Sequence, residues 1–198
     1  MSSIIRLARK SDSQSILRIY APYIEKTAIS FETVIPTESE FADRIETICK
    51  QYPYLVYLVD NLIVGYAYAS QHKERNAYRY DVNVSIYVFP EYHGSGVAYR
   101  LYECLFKILK EMGYYNVYAG YTLPNDKSMK FHNKFGFSLV GTYHKTGYKF
   151  EQWHDVAWLE KVINETTEKP GTIKKINELP LGFIDSVFHS YAASNFTY

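Results

Sequence analysis

Residues 81–109, DVNVSIYVFPEYHGSGVAYRLYECLFKIL, join two different hydrophobic periodicities through a glycine-containing turn. From Val82 to Val88 an apolar residue occupies every second position, which is typical of a β-strand with one buried face. From Val97 to Met112 apolar residues recur every three or four positions, and the pattern stops at Gly113, which is typical of an amphipathic helix. This stretch therefore predicts a strand, a tight turn and a helix in direct succession.

The turn between the two elements, HGSGVA at residues 93–98, has the composition of an anion-binding loop. A glycine-rich turn from a strand into a helix leaves several backbone N–H groups unpaired and directs them, with the helix dipole, at one point. Glycines also occur where a chain merely turns sharply, so the turn alone indicates a phosphate only weakly. It is not GxGxxG and no Walker lysine follows it, which disfavours dinucleotide and nucleoside triphosphate sites.

Patterns on both sides of this stretch predict further elements. Ser11-Asp12 supplies capping side chains for a helix that extends to about Lys26, and the Thr37 cap begins a second helix that extends to Gln51. An Asp60-Asn61 turn between two apolar runs predicts a β-hairpin. Further strands are expected near residues 4–8, 115–121, 137–144 and 154–162, with a short helix over residues 125–136.

The predicted order of elements is β-α-α-β-β-β-α-β-α-β-β. Its fold class is α/β (α+β), with a mixed, mostly antiparallel central sheet flanked by helices. We place the domain at residues 1–164. Residues 165–198 form a C-terminal extension with a polar connection and a short amphipathic helix within LGFIDSVFHSYAASNF. The extension is expected either to be a partly ordered tail or to pack on the domain or on a partner subunit.

The composition excludes several classes of protein. The 198 residues include 22 Lys and Arg and 21 Asp and Glu, so the net charge of +1 does not indicate nucleic acid or an anionic membrane as a partner. No apolar segment approaches the roughly 20 residues of a membrane span, and the N-terminus lacks the pattern of a signal peptide. The two cysteines have neither CxxC nor metal-ligand spacing. We therefore expect a cytoplasmic protein with no bound metal.

Five separated stretches, taken in order, resemble the GCN5-related N-acetyltransferase (GNAT) family, and within it the phosphinothricin and methionine sulfone acetyltransferase group. The resemblance covers roughly residues 4–162, and it implies the GNAT fold and acetyl transfer from acetyl-CoA to a small amine. The stretches are IYAPYIEKTAISFE at 19–32, KERNAY at 73–78, VSIYVFPEYHGSGVAYRLYE at 84–103, LPNDKSMKFHNKFGFSLVGTYHKTGYKF at 123–150, and WHDVAW at 153–158.

The resemblance also implies where acetyl-CoA binds. The strand pairs through its backbone with the pantetheine arm, the glycine turn wraps the pyrophosphate, and the start of the following short helix contacts the cofactor arm. The family usually has Arg or Gln where this chain has His93, and the loss of one charge-assisted hydrogen bond there is expected to cost about 1 kcal/mol. The implied cofactor-binding residues are Ile86, Tyr87, Val88, His93, Gly94, Ser95, Gly96, Val97, Ala98, Asn125 and Ser128.

The catalytic proton poses a problem for this sequence. Acetyl transfer needs a neutral amine, whereas aliphatic amines are mostly protonated at pH 7, so a base or a water chain must remove a proton. Related enzymes commonly use a Glu on the central strand, and the matching residue here is Asn83, whose amide cannot act as a base but can hold a water.

Three explanations of Asn83 stay open. In the first, the base acts through water and is either Asp81, on the same strand face, or His132, on the same helix face as Asn125 and Ser128. His132 is alternatively a proton donor or a substrate contact. The base is dispensable because the amine arrives neutral. Alternatively, the chain binds acetyl-CoA and has lost the chemistry.

For the acceptor, the resemblance implies that Lys73 and Arg75 pair with a carboxylate or phosphinate. Without the resemblance, the sequence favours Lys73 and Arg75 as solvated cations of an exposed loop. Glu32 favours an amine or forms a salt bridge near Lys73. The expected acceptor is a small amino acid or an analogue with an anionic or sulfone-like side chain. The implied substrate-binding residues are Phe31, Glu32, Lys73, Arg75, Tyr78 and Tyr80.

Aromatic residues are spaced along the last predicted strand pair. Tyr148, Trp153 and Trp158 lie at spacings that are most typical of a core or an interface, and we assign them there. The resemblance implies a homodimer in which this region and the loop after the first helix approach the neighbouring subunit.

Overall fold

The computed structural model describes residues 2–165 and 169–192. Within these residues one seven-stranded sheet has the order β1-β2-β3-β4-β5-β7-β6, and its neighbouring strands are antiparallel except for β4 and β5. The predicted fold class is confirmed. The strands are β1 Ser3–Leu7, β2 Tyr54–Val59, β3 Leu62–Gln71, β4 Asp81–Val88, β5 Asn116–Thr122, β6 Ser138–Lys149 and β7 Gln152–Val162.

Helices cover both faces of the sheet. The first two pack over the tyrosine-rich face of β2 and β3, and the third packs on the opposite face with the last. Each face therefore has its own hydrophobic core, as expected for a sheet between two helical layers. The helices are α1 Ser13–Lys26, α2 Glu38–Cys49, α3 Val97–Met112, α4 Asp126–Lys134 and α5 Phe183–Ala192.

The turn before α1 differs from the expected helix cap. The Asp12 side chain makes no capping hydrogen bond to α1. Instead its carboxylate accepts two hydrogen bonds from the Arg6 guanidinium, at 2.7 and 2.9 Å, and one from the Arg9 backbone N–H at 2.7 Å. Asp12 therefore fixes the link between β1 and α1, because the charged partner on β1 binds its carboxylate more strongly than a helix N–H would.

The last hairpin is longer than the sequence indicated. The predicted strand ends at residues 144 and 154 are wrong, because β6 continues to Lys149 and β7 begins at Gln152. Phe150 and Glu151 form the turn with φ of 51° and 59°, a left-handed conformation that bulky residues rarely adopt. By contrast Asp60 and Asn61, with φ of 46° and 68°, form the predicted hairpin turn.

The extension contains the expected short helix. Within α5, Val187 and Phe188 are buried, and the helix packs on α3 and β1. The connection before it is attached too, because the Lys174 N–H donates to the Met112 carbonyl at 2.8 Å. Residues 166–168 and 193–198 of the predicted extension lie outside the described residues. The division of the chain at residue 164 stays a prediction.

The strands β4 and β5 diverge after a short parallel contact. They pair from Asp81 with Asn116 to Asn83 with Tyr118, and the pairing then ends although β4 continues to Val88. The remaining backbone of β4 pairs with β3 on its other side only. A cleft therefore opens at the centre of the sheet, where β4 leads into the glycine turn.

A glycine on β3 lets α3 begin close to the sheet. A Cβ on Gly65 would lie 2.8 Å from Val97 Cγ1 and 3.1 Å from Val88 Cγ2. At 2.8 Å the Val97 side chain would have to shift, so the absence of a Cβ on Gly65 lets the first residue of α3 pack directly against β3. This packing fixes the position of the glycine turn beside the cleft.

We predict that Gly65→Ala destabilises the fold by about 1–3 kcal/mol, because the added methyl group overpacks a well-filled core. The measurement is urea denaturation followed by circular dichroism. The matched control is Gly141→Ala on β6, where a Cβ would meet nothing within 4 Å. Equal stabilities of the two variants would contradict the close packing of β3 and α3.

Candidate active site

A cavity of about 590 Å³ lies where β4 separates from β5. It extends from the end of β4, past the glycine turn, to the first turns of α4. Most residues predicted to bind acetyl-CoA line it, and two do not: Ser95 donates to the Tyr92 carbonyl at 2.6 Å, and the Val97 side chain is buried in the core. The predicted residues that line the cavity are Ile86, Tyr87, Val88, His93, Gly94, Gly96, Ala98, Asn125 and Ser128.

The glycine turn has the conformation that its sequence indicated. Gly94 and Gly96 have φ of 77° and 84°, in the left-handed region that favours glycine. Gly96 is the N-cap of the 16-residue helix α3 and offers no side chain to its first N–H groups. The positive end of a long helix therefore borders the cavity, an arrangement that favours a bound anion.

A tyrosine of α1 anchors the end of β4. The Tyr23 hydroxyl donates to the Val88 carbonyl at 2.6 Å, and His93 Nε2 lies 3.1 Å from both the Tyr23 oxygen and this carbonyl. The His93 ring is thus bound to the protein at the edge of the cavity. We did not predict a role for Tyr23, because no local pattern links a residue of α1 to the end of β4.

His132 is buried between α4 and α3. Its Nδ1 lies 2.9 Å from the Ser128 carbonyl, which can only accept, so Nδ1 carries the hydrogen. Its Nε2 lies 3.3 Å from the Tyr102 hydroxyl and accepts from it. Burial lowers the pKa of His132, which keeps the ring neutral. Both ring nitrogens are therefore engaged within the protein. Asn125, whose side chain accepts from the Ser128 N–H at 3.0 Å, caps α4 on the same face.

A second cavity, of about 270 Å³, lies on the side of the sheet where β4 and β5 still touch. Asn83 lines it together with Phe31, Ser85, Tyr118 and Trp158, and we call it the Asn83 cavity. Ser85 lies opposite Tyr68 of β3 in the cross-strand register. The walls of the Asn83 cavity therefore combine apolar rings with hydroxyl and amide groups, and such a lining suits a small polar ligand.

The acceptor residues of the KERNAY stretch line a third cavity, of about 500 Å³, which we call the Lys73 cavity. Lys73 Nζ lies 4.7 Å above the Tyr78 ring. Asp81 also lines this cavity, and its carboxylate accepts from the Asn116 amide at 2.9 Å. Asp81 therefore shares a strand with Asn83 but faces a different cavity. The residues that line the Lys73 cavity include Lys73, Arg75, Tyr78, Tyr80, Asp81, Pro170, Gly171, Thr172 and Ile173.

The model of the acetyltransferase (GNAT) domain matches residues 5–158. The chain belongs to the GNAT family. It is 33% identical to a phosphinothricin N-acetyltransferase of Streptomyces viridochromogenes, over 88% of this chain and 95% of that protein. It is 27% identical to an L-methionine sulfoximine/L-methionine sulfone acetyltransferase of Salmonella typhimurium, over 81% of this chain and 95% of that protein.

A solved GNAT structure has the same fold. The phosphinothricin acetyltransferase of Sinorhizobium meliloti, crystallised in complex with AcCoA, matches with a TM-score of 0.82 at 32% identity, and the match covers 90% of this chain and 97% of that chain. The predicted family, fold and enzyme class are confirmed. The protein is an N-acetyltransferase with the GNAT fold.

The described part of this GNAT chain, residues 2–165 and 169–192, contains no group of three or more His, Cys, Asp or Glu side chains placed to hold a metal ion. In the same residues no helix is both long and apolar enough to cross a membrane.

Of the two alternatives for Glu32, an amine contact or a salt bridge near Lys73, the structure contradicts the second. Its carboxylate accepts from the Arg44 guanidinium at 2.8 and 3.0 Å and from the Tyr20 hydroxyl at 3.0 Å. The salt bridge near Lys73 is therefore wrong, because α2 brings Arg44 to Glu32, whereas Lys73 lies in the KERNAY stretch and lines a different cavity. Phe31, Glu32 and Lys73 line three separate cavities in this GNAT chain.

None of the three aromatic residues assigned to a core or an interface belongs to the buried core. Tyr148 and Trp153, near the turn of the β6–β7 hairpin, are 58% and 59% exposed, and their place in an interface stays a prediction. Trp158, further along β7, lines the Asn83 cavity.

A buried lysine of β6 braces the loop between α1 and α2, a role that we did not predict because a strand lysine is usually solvated. Lys149 Nζ donates to the Ile24 carbonyl at 2.6 Å and to the Ser30 carbonyl at 2.7 Å. Burial lowers the pKa of Lys149. The loop that it holds carries Phe31, so Lys149 positions one wall of the Asn83 cavity.

We predict that Lys149→Met lowers the free energy of unfolding by about 1–3 kcal/mol, since it leaves two buried carbonyl groups without their donor while keeping the apolar stem. The control is Lys145→Met, an exposed lysine of the same strand. The measurement is thermal unfolding at several pH values. An unchanged melting temperature in Lys149→Met would show that the hydrogen bonds of Lys149 to Ile24 and Ser30 do not stabilise the fold.

Proposed function

We propose that this enzyme transfers the acetyl group of acetyl-CoA to the amine of a small amino acid or amino-acid analogue, such as phosphinothricin or methionine sulfone. The observation that carries the proposal is the cleft between β4 and β5, which ends at the left-handed glycine turn and the N-terminus of α3. The printed activities of the relatives from Streptomyces viridochromogenes and Salmonella typhimurium support the acceptor class.

The residues of the cleft fit acetyl-CoA. The exposed edge of β4, at Ile86 to Val88, offers backbone groups to a pantetheine arm, and the mainly apolar lining suits its methylene chain. The backbone of residues 93–98, including Ser95 and Val97, holds the pyrophosphate beside the helix dipole. A Cβ on Gly94 would project into open space, so the turn leaves room for a phosphate. Asn125 and Ser128 contact the arm from α4. Acetyl-CoA supplies the activated thioester.

The acceptor binds where the Asn83 cavity and the Lys73 cavity approach each other. Lys73 and Arg75 attract its anionic group, with the rings of Tyr78 and Tyr80 beside them. Phe31 covers the apolar part of the substrate. Glu32 acts indirectly, because its carboxylate is already paired with Arg44. His132 holds α4 against α3, since both of its ring nitrogens are engaged.

The enzyme acts as a cytoplasmic homodimer, with no nucleic acid or membrane partner. The interface includes the β6–β7 hairpin, whose exposed Tyr143, Tyr148, Phe150 and Trp153 form an aromatic surface. The near-neutral charge of +1 agrees with the absence of a polyanionic partner.

The test is release of free CoA thiol from acetyl-CoA at pH 8, with phosphinothricin, methionine sulfone, methionine sulfoximine and polyamines as acceptors. Release with an amino-acid analogue is the expected result. Our alternative was an acetyl-CoA-binding protein without transfer, which the comparisons do not support. That alternative predicts a raised melting temperature with acetyl-CoA and no thiol release with any amine.

We predict that Gly94→Ala raises KM for acetyl-CoA at least tenfold while the fold persists, because a Cβ at this position strains the turn and projects toward the bound phosphates. The matched control is Gly182→Ala before α5. Gly182 has a φ of 75° against 77° for Gly94, and a Cβ on either would meet nothing within 4 Å. Equal KM values for the two variants would show that the glycine turn does not bind the cofactor.

A further inference from the structure

A histidine that no motif singled out lies against Asn83. His72 follows the last residue of β3, and its Nδ1 is 2.9 Å from Asn83 Oδ1. Its ring stacks on Tyr118 of β5, with centroids 4.1 Å apart and an angle of 16° between the planes. The histidine is therefore held in a defined orientation beside the strand position that lacks a base.

The hydrogen bonds of Asn83 fix where the proton of His72 lies. Asn83 Nδ2 donates to the Gln71 carbonyl at 3.2 Å, and a carbonyl can only accept. The amide oxygen of Asn83 therefore faces His72, and this oxygen also only accepts. His72 Nδ1 must carry a hydrogen. The neutral imidazole then has its lone pair on Nε2, which is the form that accepts a proton.

Rings that contact His72 line the two cavities proposed for the acceptor. Asn83, Tyr118 and Trp158 line the Asn83 cavity, while Tyr78, whose ring centroid is 6.4 Å from that of His72, lines the Lys73 cavity. The titratable groups packed against the ring are Tyr118 and Tyr78, with Lys73 above Tyr78. Among residues 2–165 and 169–192, His72 Nε2 has no hydrogen-bond partner.

The other groups considered for the proton are less available. The Asn83 amide has no basic lone pair. The Asp81 carboxylate is bonded to Asn116 and lines the Lys73 cavity, and both nitrogens of His132 are engaged. We propose that His72 is the general base of the acetyl transfer and that Asn83 is its positioning residue. This inference rests on the proposed function.

In the proposed reaction His72 carries one proton from the substrate ammonium to the leaving thiolate. His72 Nε2 takes one proton from the substrate ammonium, which frees the lone pair of the amine nitrogen. This nitrogen forms a C–N bond with the thioester carbonyl carbon, and the C–S bond breaks. The departing thiolate takes a proton from the His72 imidazolium, and the second proton lost by the nitrogen goes to water. The base is thereby regenerated in its neutral form.

The test is the pH profile of His72→Phe, which keeps an aromatic ring against Tyr118 but removes the proton acceptor. We expect kcat/KM for the amine to fall about 100-fold or more at pH 7. The deficit should shrink toward high pH, where the neutral amine increases about tenfold per pH unit below its own pKa. KM for acetyl-CoA and the acetyl-CoA melting shift should stay unchanged. The matched control is His189→Phe, an exposed histidine of α5.

A second variant tests the positioning role. Asn83→Leu removes the acceptor of the Nδ1 hydrogen, so ¹⁵N NMR should show a mixture of His72 tautomers in place of the Nδ1–H form of the wild type. Its kcat/KM should fall about tenfold, and this loss should nearly vanish in a His72→Phe background, because the two residues act as one unit.

The proposed acetyl transfer and the base role of His72 fail on different results. A wild-type enzyme that releases no thiol with any amine overturns the proposed function, and the base role with it. An active wild type whose His72→Phe variant keeps its kcat/KM across the pH range overturns the role of His72 alone. So does a pH-dependent loss in Asp81→Asn that is absent from His72→Phe, or an Nε2–H tautomer of His72 in the wild type.

Discussion

The divergence of β4 and β5 is the constraint on which the rest of this molecule depends. Two parallel strands that pair over only Asp81–Asn83 and Asn116–Tyr118 leave the remaining edge of β4 without strand partners. Exposed backbone groups in a sheet interior are costly unless something binds them. Here a cleft opens beside the unpaired edge of β4 and ends at the N-terminus of α3, and we propose that acetyl-CoA binds these backbone groups.

Polar contacts to carbonyl groups keep the walls of the cleft and of the Asn83 cavity in place. Tyr23 binds the end of β4, Lys149 binds the end of α1 and the following loop, and the Thr122 hydroxyl donates to the Ala28 carbonyl at 2.6 Å. Each contact joins elements that lie far apart in the chain. Because hydrogen bonds of this kind are directional, they position loops more closely than apolar packing alone would.

The sequence predicted the central strand, turn and helix, whose signals are local, although the equally local cap at Asp12 was wrong because Arg6 binds its carboxylate. The alternation before Val88, the glycines at 94 and 96 and the stripe of α3 each depend on neighbouring residues, and the structure has them as predicted. The partners of Glu32 and Lys149 depend instead on how distant elements pack, and no local pattern encodes that. The same holds for His72. It continues the row of alternate β3 residues that ends in Tyr68 and Ser70, but its contact with Asn83 follows only from the cross-strand register of β3 and β4.

The distribution of tryptophan in this chain has a practical consequence. There are two, both on β7: Trp153 is exposed near the hairpin turn, whereas Trp158 lines the Asn83 cavity with its ring centroid 6.5 Å from that of His72. With Trp153 replaced by Phe, the indole emission of the protein would come from one site alone. The enzyme would then carry its own optical reporter, sensitive both to the arrival of an acceptor molecule and to the charge of the neighbouring imidazole.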